Sequence, residues 1–331
     1  PPPPPPPPPP PFFLHAQAAK PDPLWSRGLG DVYKRQVQEY TKGLVKEYHK
    51  PDSINQVFEL IANHDEGESL LLAGGQSAMQ AIKSRMLRPQ CIIDLQNLRE
   101  LKTINDDHEL LKIGSMVRYC ELAKSNSLNR NFTGLKDAAA HVGDRQVRNR
   151  GTIGGSVCWN YAAACTPTAV LALDGSMHLI SSNGKSKVID ADDFFLGPLD
   201  TAKSESDILI AVSFKKPKTR SGSAYKKWGL VKDALPVVGI CAFIKLDPNG
   251  SCCAARIALT GMGMGAQRAT AGEAVLLSSD GDPKSIEAAT DSICATIDAP
   301  TDLSATSDYR HQLIRNLGYE VIETAFKRAS I

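Results

Sequence analysis

Apolar and polar positions along this chain follow two periods, one helical and one that of strands. Residues 53–63 repeat apolar side chains at helical spacing behind Asp52 and Ser53, either of which can act as N-cap, so a helix is expected there. Three consecutive leucines at 70–72 read as a short buried strand, 77–86 as an amphipathic helix opened by Ser77, and 91–94 as a second strand. Short links between these segments predict an alternating α/β lobe of roughly fifty residues.

The next stretch predicts a second, α+β lobe. It holds a strand at 109–113, helices at 118–125 and 135–140, an apolar helix at 163–173, and strands at 176–180, 186–189 and 208–214. The run FKKPKTRSGSA at 214–224 has the proline, glycine and charge of a linker or exposed hairpin, and a domain boundary is expected near it. Beyond it, apolar runs at 235–246 and 252–262 flank the turn sequence DPNGS and predict a hairpin. Three helical segments follow, the last over about 308–328, so the expected C-terminal unit is a small antiparallel sheet covered by helices.

Composition narrows the class. With 331 residues, 42% of them hydrophobic, the chain can build two or three small cores. A formal charge of +2 argues against a nucleic-acid partner, and no apolar run approaches the length of a spanning helix, so no membrane insertion is expected. The basic cluster over 145–150 reads either as a solvated loop or as a patch near bound phosphate or a partner. Eight cysteines occur without CxxC or metal-ligand spacing, and most read as small buried hydrophobes in a reducing, cytoplasmic setting. The seven histidines show no HExxH pairing, so no metal ligand is expected, and no GxSxG elbow supports hydrolysis. Residues 1–36 open on eleven prolines and lack periodicity and signal-peptide order; they read as a disordered or non-native leader outside the fold.

Two glycine-rich segments carry the candidate chemistry. AGGQS at 73–77 separates the leucine strand from its helix, and TIGGS at 152–156 follows the basic cluster. Paired glycines permit positive φ and bring bare backbone close to a ligand, while helix starts favour anions. Two such segments can grip one diphosphate from two sides. Neither matches GxGxxG, and GxxxxGK[ST] is absent, so neither a Rossmann fingerprint nor a P-loop is supported.

AGGQS, TIGGS, the lead-in QVRNRGT, the opening EYHKPDSINQVFELIA and the later GPLDTA, in that family's order and spacing, resemble the FAD-binding medium subunit of molybdenum hydroxylases. The likeness runs from about residue 37 to the C-terminus, and KWGLVKDALPVVG resembles the N-heterocycle and carbon monoxide dehydrogenase branches more than the eukaryotic xanthine oxidases. The resemblance implies a two-lobed FAD-binding domain of PCMH type over 37–217, with lobes at about 37–96 and 97–217, and a C-terminal flavoprotein domain over 223–331. FAD is then expected between the lobes, its pyrophosphate on backbone amides of both glycine segments.

By the same resemblance the cofactor-binding residues are Leu72, Ala73, Gly74, Gly75, Gln76, Ser77, Ala78, Thr152, Ile153, Gly154, Gly155, Ser156, Leu209 and Lys226, with Ile208 beside them. Trp159 and Tyr161 are candidates for ring stacking, or simply core. Cys165 stands where the family usually carries an aspartate; a thiol cannot replace that acceptor, which leaves the contact absent or supplied by Asn160 or Thr166. No catalytic residue is expected, because the implied role is electron relay through flavin. The [2Fe-2S] clusters and the molybdopterin would sit on a small and a large partner subunit, in a dimer of heterotrimers. Two other readings stay open: a stand-alone FAD oxidoreductase, and a non-catalytic nucleotide-binding module.

Overall fold

The structure is a computed structural model that describes residues 45–331. The proline-rich leader and the expected start of the flavin domain at residue 37 lie outside the described residues.

The first sheet is parallel. Strands β1 (Glu47–His49), β2 (Ser69–Leu72) and β3 (Cys91–Asp94) pair in the order β1-β3-β2, linked by helices α1 (Ile54–Ala62) and α2 (Ala78–Lys83). Between the two expected caps of α1 the structure selects Ser53, whose Oγ accepts from Gln56 N at 3.3 Å. Helix α2 is shorter than expected, and Ser77 precedes it without a side-chain capping bond. Val57, Ile93, Leu98 and Leu101 form this lobe's core.

The second sheet is antiparallel: β4 (Ile104–Asp106), β5 (Leu110–Gly114), β6 (Ser176–Ser181), β7 (Ser186–Asp190) and β10 (Asp207–Lys215) run in the order β4-β5-β10-β6-β7. Between β5 and β6 come α3 (Tyr119–Leu122), α4 (Thr133–His141), α5 (Arg145–Arg150), α6 (Ile153–Trp159) and α7 (Cys165–Ala172). Helix α8 (Ala191–Phe194) and the ribbon β8 (Phe195–Gly197) with β9 (Asp200–Thr201) precede β10. The basic cluster is therefore not a loop. It is helix α5, started by Asp144, whose Oδ1 accepts from Val147 N at 2.8 Å. Its Arg148 turns inward and donates to the Val142 and Gly143 carbonyls.

Residues 216–220 connect different sheets, so they form a linker rather than a hairpin. Strands β11 (Ser221–Trp228), β12 (Val238–Leu246), β13 (Cys252–Thr260) and β14 (Gln267–Arg268) make a four-stranded antiparallel sheet. Helices α9 (Thr270–Leu276), α10 (Pro283–Thr296) and α11 (Ser307–Ala329) follow it. Helix α11 buries Leu313, Leu317, Val321 and Ala325 at helical spacing. Gly222 makes its seat, since a Cβ there would lie 2.4 Å from the Ala325 carbonyl oxygen. The α+β class, with a two-lobed first half and a helix-covered C-terminal sheet, is the architecture expected from the sequence.

Candidate functional site

A cleft of about 750 Å³ runs where β2, α2, α6 and the start of β10 converge. That volume lies in the upper part of the roughly 300–1,000 Å³ range of small-molecule and cofactor sites. Ala73, Gly74, Gly75, Gln76, Ser77 and Ala78 line one side, and Thr152, Gly154, Gly155 and Ser156 line the other. Leu209, Ile208 and Trp159 complete the set of expected residues that reach it.

Four expected residues lie elsewhere. Leu72 is buried at the end of β2 and Ile153 is fully buried in the core of the second lobe, so each packs behind the cleft wall. Lys226 belongs to the C-terminal sheet, where its Nζ pairs with Glu320. Tyr161 is 42% exposed and does not line the cleft. Cys165, Asn160 and Thr166 are all buried away from it, and the Asn160 side chain donates to the Gly197 and Asp200 carbonyls. Neither Asn160 nor Thr166 lines the cleft. The arginines of α5 do not line the cleft either.

The two glycine segments differ in kind. Gly75 adopts φ +74, the conformation that favours glycine, and among the described residues no acceptor takes the N–H groups of Gly74, Gly75, Gln76, Ser77 or Ala78. In the second segment the glycines are the first turn of helix α6, and their amides are already used. Ile153 N donates to Val117 O at 3.0 Å, Gly154 N to Ser115 O at 2.9 Å, and Gly155 N to Thr152 Oγ1 at 3.1 Å. The two segments thus differ in what they present: among the described residues the 74–78 loop has amides without an acceptor, whereas those of Ile153, Gly154 and Gly155 are already paired.

Glycine is required in the second segment because of close approach. A Cβ on Gly154 would lie 2.5 Å from Ser115 Cβ and 2.6 Å from its carbonyl oxygen. A Cβ on Gly74 would lie 2.1 Å from the Arg150 carbonyl oxygen, so the first segment touches the backbone at the end of α5, just before the second segment.

The structure adds residues that sequence reasoning missed. Ser115, just after β5, lines the cleft, and its buried Oγ has no hydrogen-bond partner among the described residues. Its only sequence signal was a hydroxyl at a strand end. Lys203 brings an ammonium group to the cleft and donates to the Ser204 carbonyl at 2.7 Å. At one end the loops 65–67 and 203–206 meet, where Gly67 N donates to Glu205 Oε2 at 2.9 Å. Cys158 also lines the cleft, but burial pushes its thiol up to about 11, so it stays neutral near neutral pH. The carboxylates of Asp65, Glu66 and Glu205 line the end where the loops meet, and elsewhere the site offers backbone amides, hydroxyls and Lys203 around a partly apolar cleft, a donor set that fits a large anionic cofactor.

The chain matches the family described as FAD binding domain in molybdopterin dehydrogenase over residues 39–217. It belongs to that family. A second match, CO dehydrogenase flavoprotein C-terminal domain, covers residues 223–325 of this flavoprotein. The 6-hydroxypseudooxynicotine dehydrogenase complex subunit alpha of Paenarthrobacter nicotinovorans is 28% identical, with 86% of this chain and 95% of that protein covered. The carbon monoxide dehydrogenase medium chain of Hydrogenophaga pseudoflava is also 28% identical, over 86% of this chain and 98% of the relative. A solved structure of carbon monoxide dehydrogenase from the same organism, lacking the Mo-pyranopterin moiety of its cofactor, superposes with a TM-score of 0.80 at 29% identity. It covers 85% of this flavoprotein and 97% of its own chain. These relatives are subunits of multi-subunit enzymes, and this chain is an FAD-binding oxidoreductase component of the same kind. Among the described residues no helix is long and apolar enough to cross a membrane.

Proposed function

We propose that this chain is the FAD-holding medium subunit of a cytoplasmic molybdenum hydroxylase, relaying electrons from a small iron–sulfur subunit to a terminal acceptor. A large molybdopterin subunit would complete each heterotrimer, and two heterotrimers would associate. Residues 37–217 would hold the cofactor and 223–331 would form the second domain. The observation that carries this reading is the unspent amides of the 74–78 loop facing a cleft large enough for a dinucleotide cofactor.

In this reading the N–H groups of Gly74 to Ala78 bind the pyrophosphate, with the Lys203 ammonium adding charge. Ser115 Oγ and the Ser156 side chain supply hydroxyls for sugar or ribityl groups, and Ser115 gains the partner it lacks. Trp159, Ile208 and Leu209 give apolar surface for a ring system and exclude water from it. When bound, FAD supplies a centre able to exchange electrons singly or in pairs, and the protein supplies orientation and electrostatics. Relay of this kind needs no acid or base from the chain.

The deciding experiment is the visible spectrum of the purified chain before and after FAD is added, followed by desalting and identification of the flavin released on denaturation. Retained flavin bands and released FAD are expected, with reduction requiring the iron–sulfur partner. A chain that reduces its flavin with an organic substrate alone would favour a self-contained oxidoreductase. A colourless protein, alone and in the co-expressed complex, would remove the flavin reading and leave a nucleotide-binding module.

A further inference from the structure

Behind the rim of the cleft, the fold gathers three metal-ligating side chains that lie far apart in the sequence. Glu47 on β1 and Cys91 on β3 are register partners in the parallel sheet and so project from the same face. His64, just beyond the C-terminal end of α1, reaches over them from the connection to β2. One ligand atom from each, a carboxylate oxygen, an imidazole nitrogen and Sγ, all lie within 4.8 Å of one another.

The histidine is oriented to present a ring nitrogen to the cluster. His64 Nδ1 lies 2.9 Å from the Leu60 carbonyl oxygen, which can only accept, so Nδ1 carries the hydrogen. In the neutral ring the Nε2 lone pair then faces Glu47 Oε2 at 3.6 Å. That separation is close to the edge of about 3.5 Å of a tetrahedron with metal–ligand bonds of about 2.0–2.3 Å. His49 Nε2 lies 2.9 Å from the same Glu47 oxygen, the position of an outer-shell partner that orients a ligating carboxylate.

We propose that Glu47, His64 and Cys91 form a binding site for a divalent cation of the zinc class. One sulfur, one nitrogen and one oxygen ligand suit that class rather than calcium or magnesium, which take oxygen ligands. Binding replaces the Cys91 proton with the metal, so one proton is released per ion, and thiolate and carboxylate together neutralise its charge. His64 also lines the cofactor cleft, which places the ion at the cleft's edge.

The test is calorimetric titration of zinc chloride into the chelator-treated full chain, with X-ray absorption at the zinc edge on the loaded protein and flavin content measured in parallel. One ion per chain is expected, with one sulfur at about 2.3 Å and lighter ligands at about 2.0–2.2 Å. Cys91→Ala should remove the sulfur signal. Glu47→Gln, at an exposed position that leaves the fold intact, should weaken binding by at least the about 10–100-fold that loss of an outer-shell partner costs. Absence of zinc binding by the wild-type chain overturns the proposal and leaves the contact of His64 with Glu47 a side-chain contact only. Binding that keeps its sulfur in Cys91→Ala, or its affinity in Glu47→Gln, overturns it as well. The flavin measurement keeps this result separate from the fate of the cofactor reading.

Discussion

Gly74 lies so close to Arg150 that a Cβ on the glycine would sit 2.1 Å from the arginine's carbonyl oxygen. This contact joins the loop that offers free amides to the end of helix α5, directly before the wall formed by residues 152–156. Gly74→Ala must push these backbones apart, an overpacking expected to cost about 1–3 kcal/mol. The expected outcome is a lower melting temperature together with loss of most retained flavin after desalting. Retention of full flavin content would mean that the two segments need not touch for binding.

Thr152 separates capping from cofactor contact. Its Oγ1 accepts from Gly155 N, which starts helix α6 and keeps that amide away from the cleft. Thr152→Ala should lower stability by about 1 kcal/mol, and Thr152→Ser should restore it, as read by denaturant titration. Flavin affinity should follow stability in both variants.

Lys203 is the test of charge in the cleft. Lys203→Met keeps the apolar stem and removes the ammonium group. A charge-assisted hydrogen bond is worth about 1.5–3 kcal/mol, so FAD affinity should fall about tenfold or more. The loss should be smaller for riboflavin, which has no phosphate, and comparison of the two ligands by fluorescence quenching checks this.

Asp207 links pH to the cleft loop. Burial pushes its carboxyl up, but hydrogen bonds from Ser181 and Ser204 to the charged form outweigh that and hold it below the usual carboxylate range. A depressed folded value stabilises the fold above the unfolded value, and this stabilisation is lost as pH falls through the folded one. Acidification should therefore loosen residues 203–206 and release flavin. Asp207→Asn should bind flavin less well near neutral pH and show a flatter acid limb in an affinity-versus-pH profile.

Arg310 holds the C-terminal unit together. It is 2% exposed, and its guanidinium donates to the carbonyls of Val237, Gly261 and Pro300 and pairs with Asp302 at 2.7 Å. Arg310→Met leaves those buried carbonyls unpaired and should destabilise the chain by about 3–5 kcal/mol in chemical denaturation.

Much of the architecture was legible in the sequence because it depends on local rules. The capped helix after Ser53, the hairpin around DPNGS and the long final helix each follow from side-chain period and turn chemistry within one segment. The glycine pairs also marked the cleft correctly, since only glycine allows such close backbone approach. Tertiary structure decided how they are used. Whether an amide is free depends on what lies across from it: Val117 and Ser115 occupy amides of α6, while no acceptor among the described residues takes those of the 74–78 loop. The position of Lys226 away from the cleft has the same origin: its surroundings are set by Glu320, ninety-four residues away. The meeting of Glu47, His64 and Cys91 left no spacing signal, because strand register and the end of a helix bring them together rather than proximity along the chain.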